Sequence, residues 1–332
     1  MGVTNRQVLL VEKPTEKLEP RHFRLAEGPV PAPKDGEVLV RVRYISLDAA
    51  NRAWMQGATY RSAVEADSVM AGGGVAEIIE SKAAGFAPGD LVFADTGWQD
   101  YATLPAKALT KLPKIEPMTH LLSVYGIAGL TAYFGLLHVG KPKPGETVVV
   151  SAAAGSVGSI VGQIAKIKGC RVVGIAGGAE KCRWLTDELG FDAAVDYKDG
   201  ALFKALRAAA PKGIDVYFDN VGGDILEACL PQMNMHGRIA CCGAVSQYDR
   251  TPSAHGPRGI PGLLVVKRLT MQGFIVMDFD DQRDAALADL KSWVDAGKLT
   301  VQEDIVDGLE NTPQALIGLL AGANRGKRMV RV

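Results

Sequence analysis

Residues 147–181, TVVVSAAAGSVGSIVGQIAKIKGCRVVGIAGGAEK, carry residue types suited to holding a dinucleotide. A strand-like apolar run leads into Ala153-Ala154-Gly155-Ser156-Val157-Gly158, and apolar residues then recur at helical spacing: Val157, Ile160, Val161, Ile164 and Ile167. This is the glycine-rich phosphate fingerprint with Ala153 in the place of its first glycine. At Gly155 the missing side chain lets the backbone approach a pyrophosphate, and at Gly158 it lets the helix pack closely on the strand. The helix N-terminus adds N–H groups with no partner inside the helix and a partial positive charge. A strand before, a helix after and a second strand beyond are the context the motif requires. The competing reading is a tight strand–helix turn that holds no ligand.

The end of the second strand selects the cofactor. It reads Ile175-Ala176-Gly177-Gly178, with no Asp or Glu to take a ribose diol, and Lys181 follows five residues after Ala176. Without a carboxylate a 2′-phosphate is not repelled, and a cation pairs with it. NADPH is therefore expected over NADH. The alternative for Lys181 is a solvated charge on the first turn of a helix, with Glu180 beside it.

Other chemistries find no residues to carry them. Residues 1–169 contain no cysteine, and His22, His120 and His138 form no cluster, so zinc ligation in the first third is not expected. There is no Walker phosphate loop, no HExxH and no GxSxG. The five cysteines, Cys170, Cys182, Cys229, Cys241 and Cys242, form no CxxC pair, and their odd number suits a reduced chain. With 37 basic and 37 acidic residues the net charge is zero, which gives nucleic acid no basic surface to bind. No apolar run is long enough for a signal core or a membrane span, and a cytoplasmic location is expected.

The elements that would position the turn follow from patterning. The first third is β-rich, with runs at 37–44, 74–80 and 90–94 between Gly/Pro clusters. From residue 124 the chain turns helical and then alternates. Strands are expected at 147–151, 172–176, 193–196, 214–219 and 238–242, with helices at 179–190, 202–210 and 225–233 between them. This rhythm implies α/β architecture with a doubly wound parallel sheet. Residues 247–262 are Pro/Gly-rich and expected as a loop, followed by strand-like MQGFIVM and a helix over 282–296. The expected division is a β-rich domain of 1–123 and 300–332 around a nucleotide-binding domain of 124–299.

Taken together, SLDAANR (46–52), GLTAYFGLL (129–137), residues 143–181, LGFDAAVDYK (189–198), FDNVGG (218–223), GRIACCGAVSQY (237–248) and ANRGKRMV (323–330) make the chain resemble a known family. It is similar to the zinc-independent medium-chain dehydrogenase/reductases, within them the prostaglandin reductase, leukotriene hydroxydehydrogenase and curcumin-reductase-like group. The resemblance implies a Rossmann domain plus a β-rich GroES-like catalytic domain, NADP(H) as cofactor, reduction of a carbon–carbon double bond conjugated to a carbonyl, and a homodimer. It also implies site residues. Ala154, Gly155, Ser156, Val157 and Gly158 would cradle the pyrophosphate, and Lys181 and Tyr197 would meet the 2′-phosphate. Asn220 would close over the adenosine side, and Asn324 would hold the cofactor from the tail. Cys242, Gly243, Ala244, Val245, Ser246, Phe274, Ile275 and Val276 would wall the nicotinamide. The chain departs from the group at Asp48-Ala49-Ala50-Asn51-Arg52, where relatives often have Asp-Pro-Tyr-Met-Arg. That change reshapes the substrate pocket.

The implied chemistry is hydride delivery to the β-carbon of an enone or enal, with negative charge developing on the carbonyl oxygen. Tyr248 is the candidate hydrogen-bond donor to that oxygen, worth roughly 3 kcal/mol. A packing role for its ring is the alternative. The loop from Tyr248 to Gly262 is expected as a substrate lid, with a plain inter-element connector as the alternative. Two other functions stay open at this stage: a quinone reductase on the same scaffold, and a protein that binds NADPH without turnover.

Overall fold

In a computed structural model that describes residues 4–249 and 256–332, the chain divides into two units. One comprises residues up to 122 with 303–323 and 328–332, and the other comprises 123–302 with 324–327.

The first unit is antiparallel. Strands Glu37–Ser46, Gly73–Ser81, Leu91–Asp95 and Thr110–Leu112 pair in sequence, and Tyr101–Pro105 pairs with Glu37–Ser46. Lys327–Arg331 adds to the other edge of Glu37–Ser46. A smaller sheet pairs Thr4–Leu10 with Phe23–Pro29 and Ser68–Val69. Alternation on Glu37–Ser46 puts Val38, Val40 and Val42 wholly inside, as a half-buried strand requires.

The second unit carries the phosphate fingerprint, and its elements are labelled here. The strands are β1 (Thr147–Val150), β2 (Arg171–Ala176), β3 (Ala193–Asp196), β4 (Ile214–Asp219), β5 (Met233–Cys241) and β6 (Thr270–Gly273). The helices are α1 (Ile127–Phe134), α2 (Ser156–Ile167), α3 (Ala179–Asp187), α4 (Leu202–Ala209), α5 (Gly223–Cys229), α6 (Ile260–Lys267) and α7 (Arg283–Asp295). The strands are parallel in the order β3-β2-β1-β4-β5-β6. This is the doubly wound order of a dinucleotide-binding sheet, whose direction of growth reverses between β1 and β4. Val148, Val149 and Val150 of β1 have no exposed surface, because helices cover both faces of a central parallel strand. On α2, Val161 and Ile164 are likewise fully buried, each contributing about 1.5–3 kcal/mol. Gln163 of the same helix clamps the backbone of Thr300, donating through Nε2 to its carbonyl (3.0 Å) and accepting its N–H at Oε1 (2.7 Å).

Three local expectations are corrected. Residues 260–262 belong to α6 and not to a loop. The strand expected in MQGFIVM stops at Gly273, and a short 3-10 segment covers Val276–Gln282. The helix from residue 127 widens into a π-helical turn over Gly135–Gly140. Phe274 lies in the notch there: a Cβ on Gly135 would sit 2.1 Å from its ring edge.

Candidate functional site

β1 ends at Val150, and the chain turns through Ser151–Gly155 into α2. Ala152 takes a left-handed conformation (φ 48°) to make this turn. The turn is too tight for side chains at its second glycine: a Cβ on Gly158 would lie 2.4 Å from the Ala152 carbonyl oxygen. Gly155, at the helix N-cap, has extended backbone (φ −87°, ψ −178°), and its Cβ position is 3.1 Å from the same oxygen. The two glycines thus do different work, one permitting helix–strand approach and the other leaving the mouth of the turn open. Val157 packs against the core cluster of this unit. The Ser156 hydroxyl is buried and has no hydrogen-bond partner. A buried polar atom without a partner is costly and points to a missing one. It stands in the first turn of a twelve-residue helix that has no acidic side chain there. Backbone N–H groups at the same end lack helical partners. The residues present therefore fit a phosphate-bearing ligand.

The tail meets this turn. Gly326 donates its N–H to the Ala154 carbonyl (2.9 Å), and Gly155 and Gly326 form an isolated parallel bridge. Asn324 is 8% exposed and donates Nδ2 to the Gly326 carbonyl (2.9 Å), which shapes the approach. Asn324 is thus placed at the phosphate turn.

At the end of β2, Gly177 lies under Tyr197 and Lys198. A Cβ there would be 2.9 Å from Lys198 Cε and 3.0 Å from the Tyr197 hydroxyl. An acidic side chain at this strand end would have to displace both. Asp196, at the end of β3, fastens the arrangement by accepting the N–H groups of Gly178 and Lys198 at Oδ1, each at 2.9 Å. The Gly178 N–H, then that of Lys198, holds the Asp196 carboxyl below its ordinary range. Lys181 is half-buried in the first turn of α3, and Tyr197 is exposed. The structure thus places Tyr197 against Gly177, with Lys181 following in the first turn of α3. It adds Lys198 and Asp196, which the sequence reading did not single out. The available signal was VDYK itself: an Asp at a strand end is suited to accept turn N–H groups, and the next residue but one carries a cation.

The switch point between β1 and β4 is closed by polar side chains. Asn220 donates Nδ2 to the Ser151 carbonyl (2.7 Å) and its backbone N–H to Ser151 Oγ (2.9 Å). One of its two amide N–H groups is thus committed to the fold. Asp219 is 2% exposed. Its Oδ1 accepts from Tyr217 Oη (2.8 Å), Ser151 Oγ (3.2 Å), Val221 N (3.0 Å) and Gly222 N (2.8 Å). Burial raises the Tyr217 phenol well above its ordinary range, so it stays a donor to this carboxylate.

The segment after β5 zips onto that turn. Cys242 and Gly243 donate to the Asp219 carbonyl (2.8 and 3.2 Å), Val245 to that of Asn220 (3.2 Å), and Ser246 to that of Val221 (3.1 Å). Ser246 Oγ adds a 2.6 Å bond to the Val221 carbonyl. Burial pushes the Cys242 thiol up to about 12 and Cys241 to about 11, with Asp219 adding to both. Neither is a thiolate near neutrality, so neither is poised as a nucleophile. Tyr248 folds back over this wall, and its hydroxyl accepts the Ala244 N–H at 3.1 Å. Phe274 packs edge-on against Phe218, with ring centroids 6.1 Å apart. Ile275 is exposed, and Val276 packs on the core. Of the expected lid, residues 250–255 lie outside the described residues.

A family description, N-terminal domain of oxidoreductase, matches residues 6–112, and a second, zinc-binding dehydrogenase, matches residues 156–292. NADPH-dependent curcumin reductase of Escherichia coli is 44% identical over 99% of this chain and 97% of that protein. The chain belongs to the zinc-independent medium-chain dehydrogenase/reductases. Prostaglandin reductase 1 of Bos taurus is 46% identical over 93% of both chains. The crystal structure of CurA in complex with NADPH from Vibrio vulnificus superposes with a TM-score of 0.94 at 42% identity, covering 98% of this chain and 99% of that one. Among the described residues, no group of three or more His, Cys, Asp or Glu side chains is placed to hold a metal ion.

Proposed function

We propose that this chain is an NADPH-dependent oxidoreductase that reduces the carbon–carbon double bond of α,β-unsaturated ketones and aldehydes without zinc. The reading is carried by likeness to enzymes named for NADPH-dependent curcumin reduction, over 99% of this chain, and for 2-alkenal reduction, over 89% of it. It is supported by a phosphate turn whose Ser156 hydroxyl lacks a partner. When bound, NADPH supplies the hydride. The chain's own residues do the rest. Gly155, Ser156 and the first N–H groups of α2 bind the pyrophosphate, with Ala154, Val157 and Gly158 shaping the turn. Lys181, Tyr197 and Lys198 take the 2′-phosphate. Asn220 and Asn324 brace the turn on either side. Cys242 to Ser246 and Phe274 to Val276 form an apolar wall that excludes water from the nicotinamide. Tyr248 donates to the substrate oxygen as enolate charge builds, and water protonates the α-carbon.

The natural occupant is a small-molecule enone or enal. We further propose a cytoplasmic homodimer. Among the described residues no helix is long and apolar enough to cross a membrane. All five cysteines are free thiols, which suits a reducing compartment. β6 is a sheet edge, and beside it Val265 and Val266 of α6 are 75% and 65% exposed. An edge strand next to bare aliphatic side chains supports a self-complementary interface. Light scattering reads the oligomeric state. The function is tested by a cofactor-oxidation screen across enals, enones, quinones and aliphatic ketones. Turnover confined to quinones would replace this reading, as would tight NADPH binding with no turnover.

A further inference from the structure

Arg325 lies between Asn324 and Gly326, in the segment pinned to the phosphate turn. Its guanidinium reaches the first turn of α3. Nη1 is 3.5 Å from Glu180 Oε1, and the guanidinium carbon stands 6.0 Å from the Trp184 ring centroid. Glu180 is the acidic residue of that turn and precedes Lys181. A carboxylate there suits the positive end of the helix, but it repels a ligand phosphate held by Lys181. The side chains of Arg325 and Glu180 are 42% and 76% exposed. An ion pair so wet contributes little to stability, whereas a carboxylate beside a dianion changes the local field whether or not it stabilises the fold.

We propose that Arg325 is a specificity-determining residue that sets the preference for a 2′-phosphate by masking Glu180. The inference rests on the reading that the 2′-phosphate sits at Gly177–Lys181. Fixing the 324–326 backbone on the phosphate turn gives Arg325 a defined reach, and the Trp184 face steadies its guanidinium. The charge that the first turn presents to a phosphate then comes from Lys181, with Glu180 cancelled.

The test is calorimetric binding of 2′,5′-ADP and 5′-AMP to wild type, Arg325→Met, Arg325→Lys, Glu180→Gln and the double variant Glu180→Gln/Arg325→Met. Methionine keeps an apolar cover on Trp184 while removing the charge. Arg325→Met should weaken 2′,5′-ADP about 3–10-fold and leave 5′-AMP within about twofold, and high salt should shrink the difference. Arg325→Lys should bind like wild type. The double variant should return to within about twofold of wild type, because no carboxylate remains to mask. Wild-type discrimination retained in Arg325→Met overturns the proposal. So does a double variant as weak as Arg325→Met, which would mean that the guanidinium touches the phosphate directly. A wild type that does not distinguish the two nucleotides removes the 2′-phosphate reading itself, and this inference with it.

Discussion

Replacing Gly155 and Gly158 by alanine, one at a time, separates ligand approach from packing at the phosphate turn. At Gly158 the new methyl would meet backbone: the Ala152 carbonyl oxygen at 2.4 Å, with Ala152 C and Ala153 Cα both at 2.9 Å. Backbone cannot swing aside as a side chain can, so the overpacking cost falls near the upper end of its range, about 3 kcal/mol. The helix interior gains about 1 kcal/mol from exchanging glycine for alanine. The net loss of about 2 kcal/mol corresponds to a fall in Tm of about 4–8 °C for a domain of this size. At Gly155 the backbone is extended and the nearest atom is 3.1 Å away, so the fold should lose under about 1 kcal/mol, a difference in N-cap preference. The methyl would instead stand in the mouth of the turn and disrupt a charge-assisted contact worth about 1.5–3 kcal/mol, or ~10–150-fold in affinity. Thermal melts and NADPH fluorescence titrations of both variants provide the check. The expected outcome is crossed: Gly158→Ala loses stability, and Gly155→Ala loses affinity at near-normal Tm. A Gly155→Ala protein that binds NADPH as tightly as wild type would refute the assignment of this turn to the pyrophosphate.

Lys181→Ala should raise KM for NADPH ~10–150-fold, leave kcat within a few-fold and scarcely change NADH kinetics, since the contact is the same in ground and transition states; equal losses with both cofactors would reduce Lys181 to a structural residue. Tyr248→Phe should lower kcat by ~10–1,000-fold across enones with NADPH affinity unchanged; an unaltered kcat would leave the ring a packing role. Burial raises Cys170, Cys241 and Cys242 to about 11, 11 and 12 from an ordinary 9.0. Between those limits the unfolded chain loses protons that the folded chain keeps, so urea midpoints should fall steadily as pH climbs above about 9. The slope should be shallower in Cys241→Ala, and midpoints that stay flat to pH 11 would contradict the burial of these thiols.

The parallel sheet was legible because the central strands TVVV and RVVGIA are short β-branched runs with glycine or proline nearby, and α2 shows a clear 3.6-residue apolar stripe. The strands at 193–196 and 214–219 fall where patterning put them. α6 was not legible: IPGLLVVK is apolar all round, with no stripe to read, and it follows a Pro/Gly-rich stretch. Phe274 misled the reading of β6, since its apolar run continues past the point where the chain leaves the sheet for the notch at Gly135. Within the candidate site, the fingerprint glycines and the strand end without an acid are local features, and spacing alone reveals them. The Asp219 acceptor, the Asp196 clamp and the docking of Gly326 on Ala154 join residues far apart in the chain. No period or motif announces such pairings; folding brings them together.

The central claim is hydride transfer to carbon rather than to a carbonyl or a quinone. The most direct measurement uses NADPH carrying deuterium at the transferred position, with an acyclic enone, and analysis of the product by mass spectrometry and NMR. The expected product is a saturated ketone with one deuterium on the β-carbon, the carbonyl intact and a solvent-derived proton on the α-carbon. An allylic alcohol with deuterium on the carbonyl carbon, or recovered enone beside active quinone turnover, would contradict it.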